Sequence, residues 1–379
     1  MRILMVSHAY VSVELAQAKA REIARRPGLD VMVVAPNRFF ELGRWMCAER
    51  PDHPEYALEV LPVALPSVRG QRHLYFFPRG LGRLLRRFRP DVVDLWEEPY
   101  SAVSSQVVLL RRAFARQAAL VANPSQQVLK QQPPPFRWGE SLVIRDSAYL
   151  VGRSQESVDV FRAKGYRGPS AVIGHGIELG FLTPGDRGEA RRALGLPDVA
   201  RLVTFAGRLD PVKGIDVLLE AVSRMQPETG ALIVGEGPEG DSLRALARRL
   251  GIADRVWFRN PLPMEEIAIA FRAGDAVAMP SRKELWGRVA IEAMACGVPV
   301  VVGGGHLPVL VGEHARVVQP DDPDGLARAL SEAIDEPEAP KTERLARARK
   351  HAATYSWNAL AEHWQHVYDE VTTDGRSRQ

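Results

Sequence analysis

Short apolar runs separated by amphipathic stretches recur along the chain. Ile3 to Val6 is an apolar run ending at Ser7-His8, Val13 to Ala24 follows with helical spacing and charges on one side, and Asp30 to Ala35 is apolar after its first residue. Strand, helix and strand within ~35 residues form the pattern of a parallel βαβ unit. The pattern returns at Pro90 to Trp96, with a basic helix before it (Gly80 to Pro90) and an apolar one after it (Val103 to Phe114); Leu120 to Ala122 and Tyr149 to Gly152 read as further strands.

Residues 165–184 are rich in Gly and Pro and lack helical period, as a connection between domains does. A second α/β series follows. Its strands are Leu202 to Phe205, Ala231 to Val234, Val256 to Phe258, Ala276 to Met279 and Val298 to Val302. Its helices are Gly214 to Ser223, Asp241 to Leu250, Glu265 to Ala273 and Arg288 to Cys296. The fold class expected is α/β, two Rossmann-like doubly wound domains separated by a cleft. The N-terminal domain spans 1–170 and the C-terminal one 171–355. The stretch from 356 to 379 begins with helical spacing of Trp357, Leu360, Trp364, Val367 and Val371, and is expected to pack on one of the two domains.

Length agrees with two domains, and 46% apolar with 25% charged residues excludes disordered, collagen-like and coiled-coil classes. Fifty Lys and Arg against 46 Asp and Glu leave a formal charge of +4, too small an excess to indicate nucleic-acid binding. Two cysteines, Cys47 and Cys296, make neither a disulfide framework nor a four-cysteine zinc site, so a reducing, cytoplasmic setting is expected. The start MRILMVSHAY lacks the apolar core of a signal peptide, and no apolar stretch reaches the ~20 residues of a membrane span.

In doubly wound sheets ligands bind at the carboxyl ends of the strands, so the residues just after the strands carry the chemistry. Gly207-Arg208-Leu209-Asp210-Pro211-Val212-Lys213-Gly214 follows one strand. Glycine lets backbone approach a ligand, arginine grips phosphate oxygens with two N–H groups, and lysine adds a compact charge. Two cations at a helix start suit a diphosphate; ordinary solvated charges would look the same in this segment alone. The second segment runs from Ala278 to Val300, with Glu284 and Glu292 eight residues apart. Gly287 breaks the helix between them, leaving Glu284 in a loop over the helix start and Glu292 on its second turn. Two carboxylates so placed suit the hydroxyls at either end of a nucleotide sugar.

These strings resemble the family 4 retaining glycosyltransferases of the GT-B fold. The matching parts are Gly207-Arg208…Lys213-Gly214, the Pro280-Ser281…Glu284…Gly287…Glu292-Ala293-Met294-Ala295-Cys296-Gly297-Val298-Pro299 string, Val234-Gly235-Glu236-Gly237-Pro238, and Ile173-Gly174-His175-Gly176-Ile177-Glu178. The likeness is strong over about 165–330 and diffuse before it. It implies a donor-binding C-terminal domain and an acceptor-binding N-terminal one. Arg208 and Lys213 would hold the donor diphosphate, Glu284 the donor sugar, and Glu292 the ribose. Gly207, Gly235 and backbone N–H groups around Leu285, Trp286, Gly287 and Arg288 would approach the phosphates, and Arg259 and Leu262 would line the base pocket. The donor would be a nucleoside diphosphate sugar, UDP- or GDP-linked, with no cofactor or metal required. The leaving phosphate would assist front-face attack, so Glu284 is not assigned as a nucleophile.

The chain departs from the family pattern where the first strand ends. Ser7-His8-Ala9-Tyr10-Val11 replaces a glycine pair, and Val121 to Gln127 offers no histidine, leaving Asn123, Gln126 or Gln127 as hydrogen-bonding substitutes. His8, Tyr10 and Glu98 read either as residues at the crevice or as packing and helix-start groups. Phe39, Phe40, Trp45, Arg69, Arg72, His73, Tyr75, Phe76 and Phe77 read as acceptor recognition or as core. The Gly80 to Pro90 helix reads as a solvated surface in preference to a membrane contact. His363 with His366, and Asp321-Asp322-Pro323-Asp324, lack the further ligands of a metal site; the acids read as caps. Two other classes fit the same strings: a GT-B sugar-nucleotide epimerase, and a non-catalytic nucleotide-binding module.

Overall fold

The computed structural model describes residues 1–41, 44–51, 55–66, 72–197 and 200–377. They form two units, Met1–Gly174 with Trp357–Gln379, and His175–Ser356.

The first unit contains β1 (Arg2–Val6), β2 (Asp30–Pro36), β3 (Arg38–Glu41), β4 (Arg44–Cys47), β5 (Ala57–Leu61), β6 (Val92–Leu95), β7 (Ala119–Ala122), β8 (Tyr149–Gly152) and β9 (Ser170–Val172). Seven of these make one parallel sheet in the order β5-β2-β1-β6-β7-β8-β9, while β3 and β4 pair as a separate antiparallel hairpin. Ile3 to Val6 are fully buried because helices cover both sheet faces, which is why the run is continuously apolar. The order reverses between β1 and β6, and there the two following loops meet: Trp96 N–H donates to Val6 O at 3.1 Å.

β5 and β9 were not among the expected strands. Both are edge strands whose side chains are partly exposed, so neither shows a clean apolar run. β9 also corrects the reading of 165–184 as pure connection. Glycine and proline there flank a three-residue strand.

The helix Trp357–Ser377 belongs to this unit, with Trp357, Leu360, Trp364, Tyr368 and Val371 in one core with Ile3, Met5 and Ile23. Beneath it lies a buried charge. Lys19 Nζ is 2.5 Å from Asp94 Oδ2 and 3.3 Å from the centre of the Trp364 ring, and Tyr368 O–H donates to the same Asp94 oxygen at 2.6 Å. Burial lowers the Lys19 pKa from 10.5 to about 8, although Asp94 pulls it upward.

The second unit contains β10 (Arg201–Ala206), β11 (Thr229–Val234), β12 (Val256–Arg259), β13 (Ala276–Met279), β14 (Val300–Val302) and β15 (Arg316–Val317). They form a parallel sheet in the order β12-β11-β10-β13-β14-β15, reversing between β10 and β13. That reversal brings the loops carrying Lys213 and Glu284 together. Asp322 caps the helix Pro323–Ile334, its Oδ1 accepting from Gly325 N–H at 2.8 Å. Among the described residues no helix is long and apolar enough to cross a membrane.

Candidate functional site

Backbone contacts align the loops after β10, β11 and β12. Gly207 N–H donates to Val234 O at 3.0 Å, Gly235 N–H to Arg259 O at 2.9 Å, and Leu209 N–H to Glu236 O at 2.8 Å. A side chain on Gly235 would place its Cβ 1.9 Å from Gly207 O, so this approach requires glycine. Arg208 stands at the end of β10, 68% exposed along its side chain, and its guanidinium reaches Asp210 at 2.6 Å.

The next step of the chain is the short turn Pro211–Lys213, closed by Gly214 at φ +66°, from which the helix Ile215–Arg224 starts. The loop after β13 lies against it. A Cβ on Gly214 would come within 2.2 Å of Pro280 O, and Arg282 N–H donates to Val212 O at 2.8 Å. The Arg282 guanidinium then fastens the loop, reaching Asp216 and Asp321, each at 2.7 Å. Lys213 Nζ thereby meets Glu284 Oε2 in an ion pair. The second oxygen of Glu284 accepts from Leu285 N–H at 3.2 Å.

Gly287, at φ +77°, opens the helix Arg288–Ala295, and no side chain caps it. Ala290 N–H donates to Gly287 O at 3.0 Å, so the donor capacity of this helix start toward an anion lies with the Arg288 and Val289 N–H groups. Glu292 projects from the second turn and is 2% exposed, with Arg288 Nε 2.9 Å from its Oε1. Burial raises its carboxyl pKa and Arg288 opposes the rise. Trp286 stacks on His306, ring centres 5.6 Å apart, and His306 N–H donates to Glu284 O at 2.9 Å. Leu285 is half exposed, and Leu262 packs on the same core as Trp286. Arg259 reaches Leu194 O only at 3.5 Å.

Arg282 and Gly305 were not assigned roles from sequence. A Cβ on Gly305 would lie 2.2 Å from Glu284 N, so the glycine run after β14 allows the Glu284 loop to fold down. The run Gly303-Gly304-Gly305 directly after a strand was the available signal.

The remaining expected residues lie in the first unit. His8 donates its backbone N–H to Glu97 Oε1 at 2.6 Å, its ring Nδ1 lies 2.6 Å from the same oxygen, and Tyr75 O–H donates to it at 2.5 Å. Tyr10 is fully buried, edge-on to Trp96, which makes it a packing residue and not a crevice group. Glu98 Oε1 accepts from Ser125 N–H at 2.9 Å, and burial raises its pKa. Gln127 Nε2 donates to Ser154 Oγ at 2.9 Å. Of the two alternatives for Glu98, the helix-start one is not the one adopted, because Ser101 caps the helix Ala102–Phe114. Phe39, Tyr75 and Phe77 are core, whereas Trp45 is half exposed. Arg69 lies outside the described residues. Among the described residues no three His, Cys, Asp or Glu side chains are grouped as metal ligands would be.

Two doubly wound α/β units with this glycine-lined, cation-bearing strand edge define the class: a GT-B fold. Residues 186–352 match the family model described as glycosyl transferases group 1. Over 276 residues the chain is 37% identical to a D-inositol 3-phosphate glycosyltransferase of Mycolicibacterium gilvum, covering 69% of this chain and 61% of the relative. A relative of the same name from Stackebrandtia nassauensis is 38% identical over 261 residues, 63% of this chain and 58% of its own. The chain thus spans about three fifths of the length of these curated relatives. Among solved structures, sucrose-phosphate synthase from Thermosynechococcus elongatus superposes with a TM-score of 0.74 at 21% identity, covering 99% of this chain and 100% of that one. Anabaena HepE, in complex with UDP and glucose, superposes with a TM-score of 0.71 at 22% identity, covering 98% and 100%. Residues 186–352 thus carry a group 1 glycosyltransferase domain, within a chain whose two units share the GT-B fold.

Proposed function

We propose that the chain is a retaining glycosyltransferase that moves a sugar from a nucleoside diphosphate sugar to an acceptor hydroxyl. The Lys213–Glu284 pair carries the reading, because it sets a cation and a carboxylate side by side at the carboxyl edge of a parallel sheet, next to an uncapped helix start. Arg208 and Lys213 bind the diphosphate and neutralise the charge that grows on it as the glycosidic bond breaks. Glu284 accepts hydrogen bonds from donor-sugar hydroxyls and offsets positive charge at the anomeric carbon. Glu292 takes the ribose hydroxyls, and Gly207, Gly235 and the Gly287 turn admit the phosphates. The unit His175–Ser356 binds the donor and the other unit the acceptor. The HepE structure in complex with UDP and glucose supports a UDP-linked donor.

This reading requires no metal, since two side-chain cations and a helix N-terminus meet the diphosphate. The test is a thermal-shift and turnover screen with UDP-, GDP- and ADP-sugars on the parent and on Arg208→Ala. A donor should raise the melting temperature of the parent, and the variant should fold normally with turnover reduced by a factor of about 100 or more. An Arg208→Ala protein that transfers at the parent rate would refute the assignment.

A further inference from the structure

The first unit holds an open groove of about 540 Å³ that the donor chemistry does not use. Its volume falls inside the range of about 300–1,000 Å³ common for small-molecule sites. Tyr100, from the loop after β6, forms one side with Ser105 on the helix Ala102–Phe114. Phe136, Trp138, Leu142 and Arg145, on the helix Phe136–Asp146, form the other. That helix follows the loop leaving β7. Tyr100 and Phe136 therefore arise from the carboxyl ends of neighbouring parallel strands, where doubly wound sheets bind ligands.

The walls are aromatic and set at angles to one another. His73 stands behind them, its ring centre 4.9 Å from Phe136 and 6.1 Å from Tyr100. Trp138 is 69% exposed and adjoins Phe136 and Leu142 in the wall, so the groove presents a contiguous apolar surface. The charge in the groove has one sign. No Asp or Glu lines it, and none occurs from Asn123 to Gly139. Arg145 supplies a cation. The adjacent Asp146 is held by Arg111 and Arg112, and among the described residues no carboxylate pairs with Arg145.

We propose that this groove binds a planar hydrophobic ring bearing an acidic substituent, as the non-reacting part of the acceptor. The ring lies against Trp138 and Phe136, and the anion meets Arg145. A polyhydroxylated acceptor would find few polar partners here, since the hydroxyls of Ser105, Ser141 and Tyr100, the Trp138 indole N–H and the Arg145 guanidinium are the only polar side-chain groups among the lining residues. The inference rests on the acceptor role given above to this unit, but ring binding is read without any donor, so either can fail alone.

Anilinonaphthalene sulfonate and phenylnaphthylamine, which lacks the sulfonate, serve as fluorescent probes on the full chain. Parent, Trp138→Ala and Arg145→Gln are compared after their melting temperatures show that all are folded. Trp138→Ala should weaken both probes by about tenfold or more, whereas Arg145→Gln should weaken the sulfonate about tenfold and leave the neutral probe within about twofold. Equal binding of both probes to all three proteins would overturn the proposal. So would a Trp138→Ala variant that keeps the probes but loses binding to vesicles of acidic phospholipid, since the face would then be a membrane contact. Thermal shift with UDP, read on the same proteins, reports on the donor site separately.

Discussion

Lys213 and Glu284 lie 71 residues apart in the chain and meet as an ion pair because two glycines permit it. Gly214 lets the loop after β10 touch Pro280, and Gly305 lets the loop carrying Glu284 fold down. The pair has a polarity that binding can test. A diphosphate is drawn to Lys213 and repelled by Glu284 at short range.

Lys213→Ala should therefore weaken binding of free UDP by about tenfold to a hundredfold, the range of one charge-assisted hydrogen bond. Glu284→Gln should bind UDP at least as tightly as the parent while losing transfer. Calorimetric titration of UDP into the three proteins measures both. If Glu284→Gln loses as much affinity as Lys213→Ala, the pair acts as a structural brace and not as a phosphate-facing cation with a sugar-facing carboxylate.

The Lys19–Asp94 pair supports a different prediction, on stability. Asp94→Asn leaves a buried ammonium without its counterion and should cost about 3–5 kcal/mol, while the double variant Lys19→Met/Asp94→Asn should recover most of that. The pH dependence has a fixed sign. Burial holds the folded Lys19 pKa near 8 against 10.5, so above pH 8 the unfolded chain binds more protons at this site. Stability of the parent relative to the double variant should rise from about pH 8 to 10.5 and fall back as pH drops through 8. Denaturant titrations across that window test it, and a constant difference would show that Lys19 keeps its proton throughout.

The residues at the carboxyl edge of the second sheet were legible as positions because parallel strands buried on both faces are continuous apolar runs that end where loops begin. Gly207, Lys213 and Glu284 could be read off in that way, as could the break at Gly287. Arg282 was not, because a fastening arginine looks like any surface cation until its partners Asp216 and Asp321 are placed by the fold. The first unit was harder to read. Tyr10, Glu97 and Glu98 follow strands as ligand-binding residues do, yet here burial and local hydrogen bonds claim them. Sequence position alone does not separate those outcomes, since the same polar side chain serves a ligand or a buried neighbour.

The cysteines should differ sharply in reactivity. Cys296 is 2% exposed, and burial pushes its thiol up to about 12, whereas Cys47 is exposed. Iodoacetamide at neutral pH should add one group to the native chain, at Cys47, and a second only after denaturation. Peptide mass mapping decides the point; native labelling at Cys296 would mean that the helix Arg288–Ala295 opens readily at its C-terminal end.

The last prediction separates backbone strain from loop contact. Gly214 and Gly251 have nearly the same conformation, φ +66° and +68°, so alanine at either one pays a similar left-handed penalty of about 1–2 kcal/mol. Their surroundings differ. A Cβ at Gly251 meets nothing within 4 Å, while one at Gly214 would come within 2.2 Å of Pro280 O. Gly251→Ala should therefore lower the melting temperature by only a few degrees, about what 1–2 kcal/mol produces in a domain of this size, and leave UDP affinity at the parent value. Gly214→Ala must push the loop after β10 away from the loop after β13, which carries Lys213 away from Glu284. Its melting temperature should fall further, and its UDP affinity should fall with it. Parent-level affinity in a folded Gly214→Ala protein would show that donor binding does not depend on the close approach of these two loops.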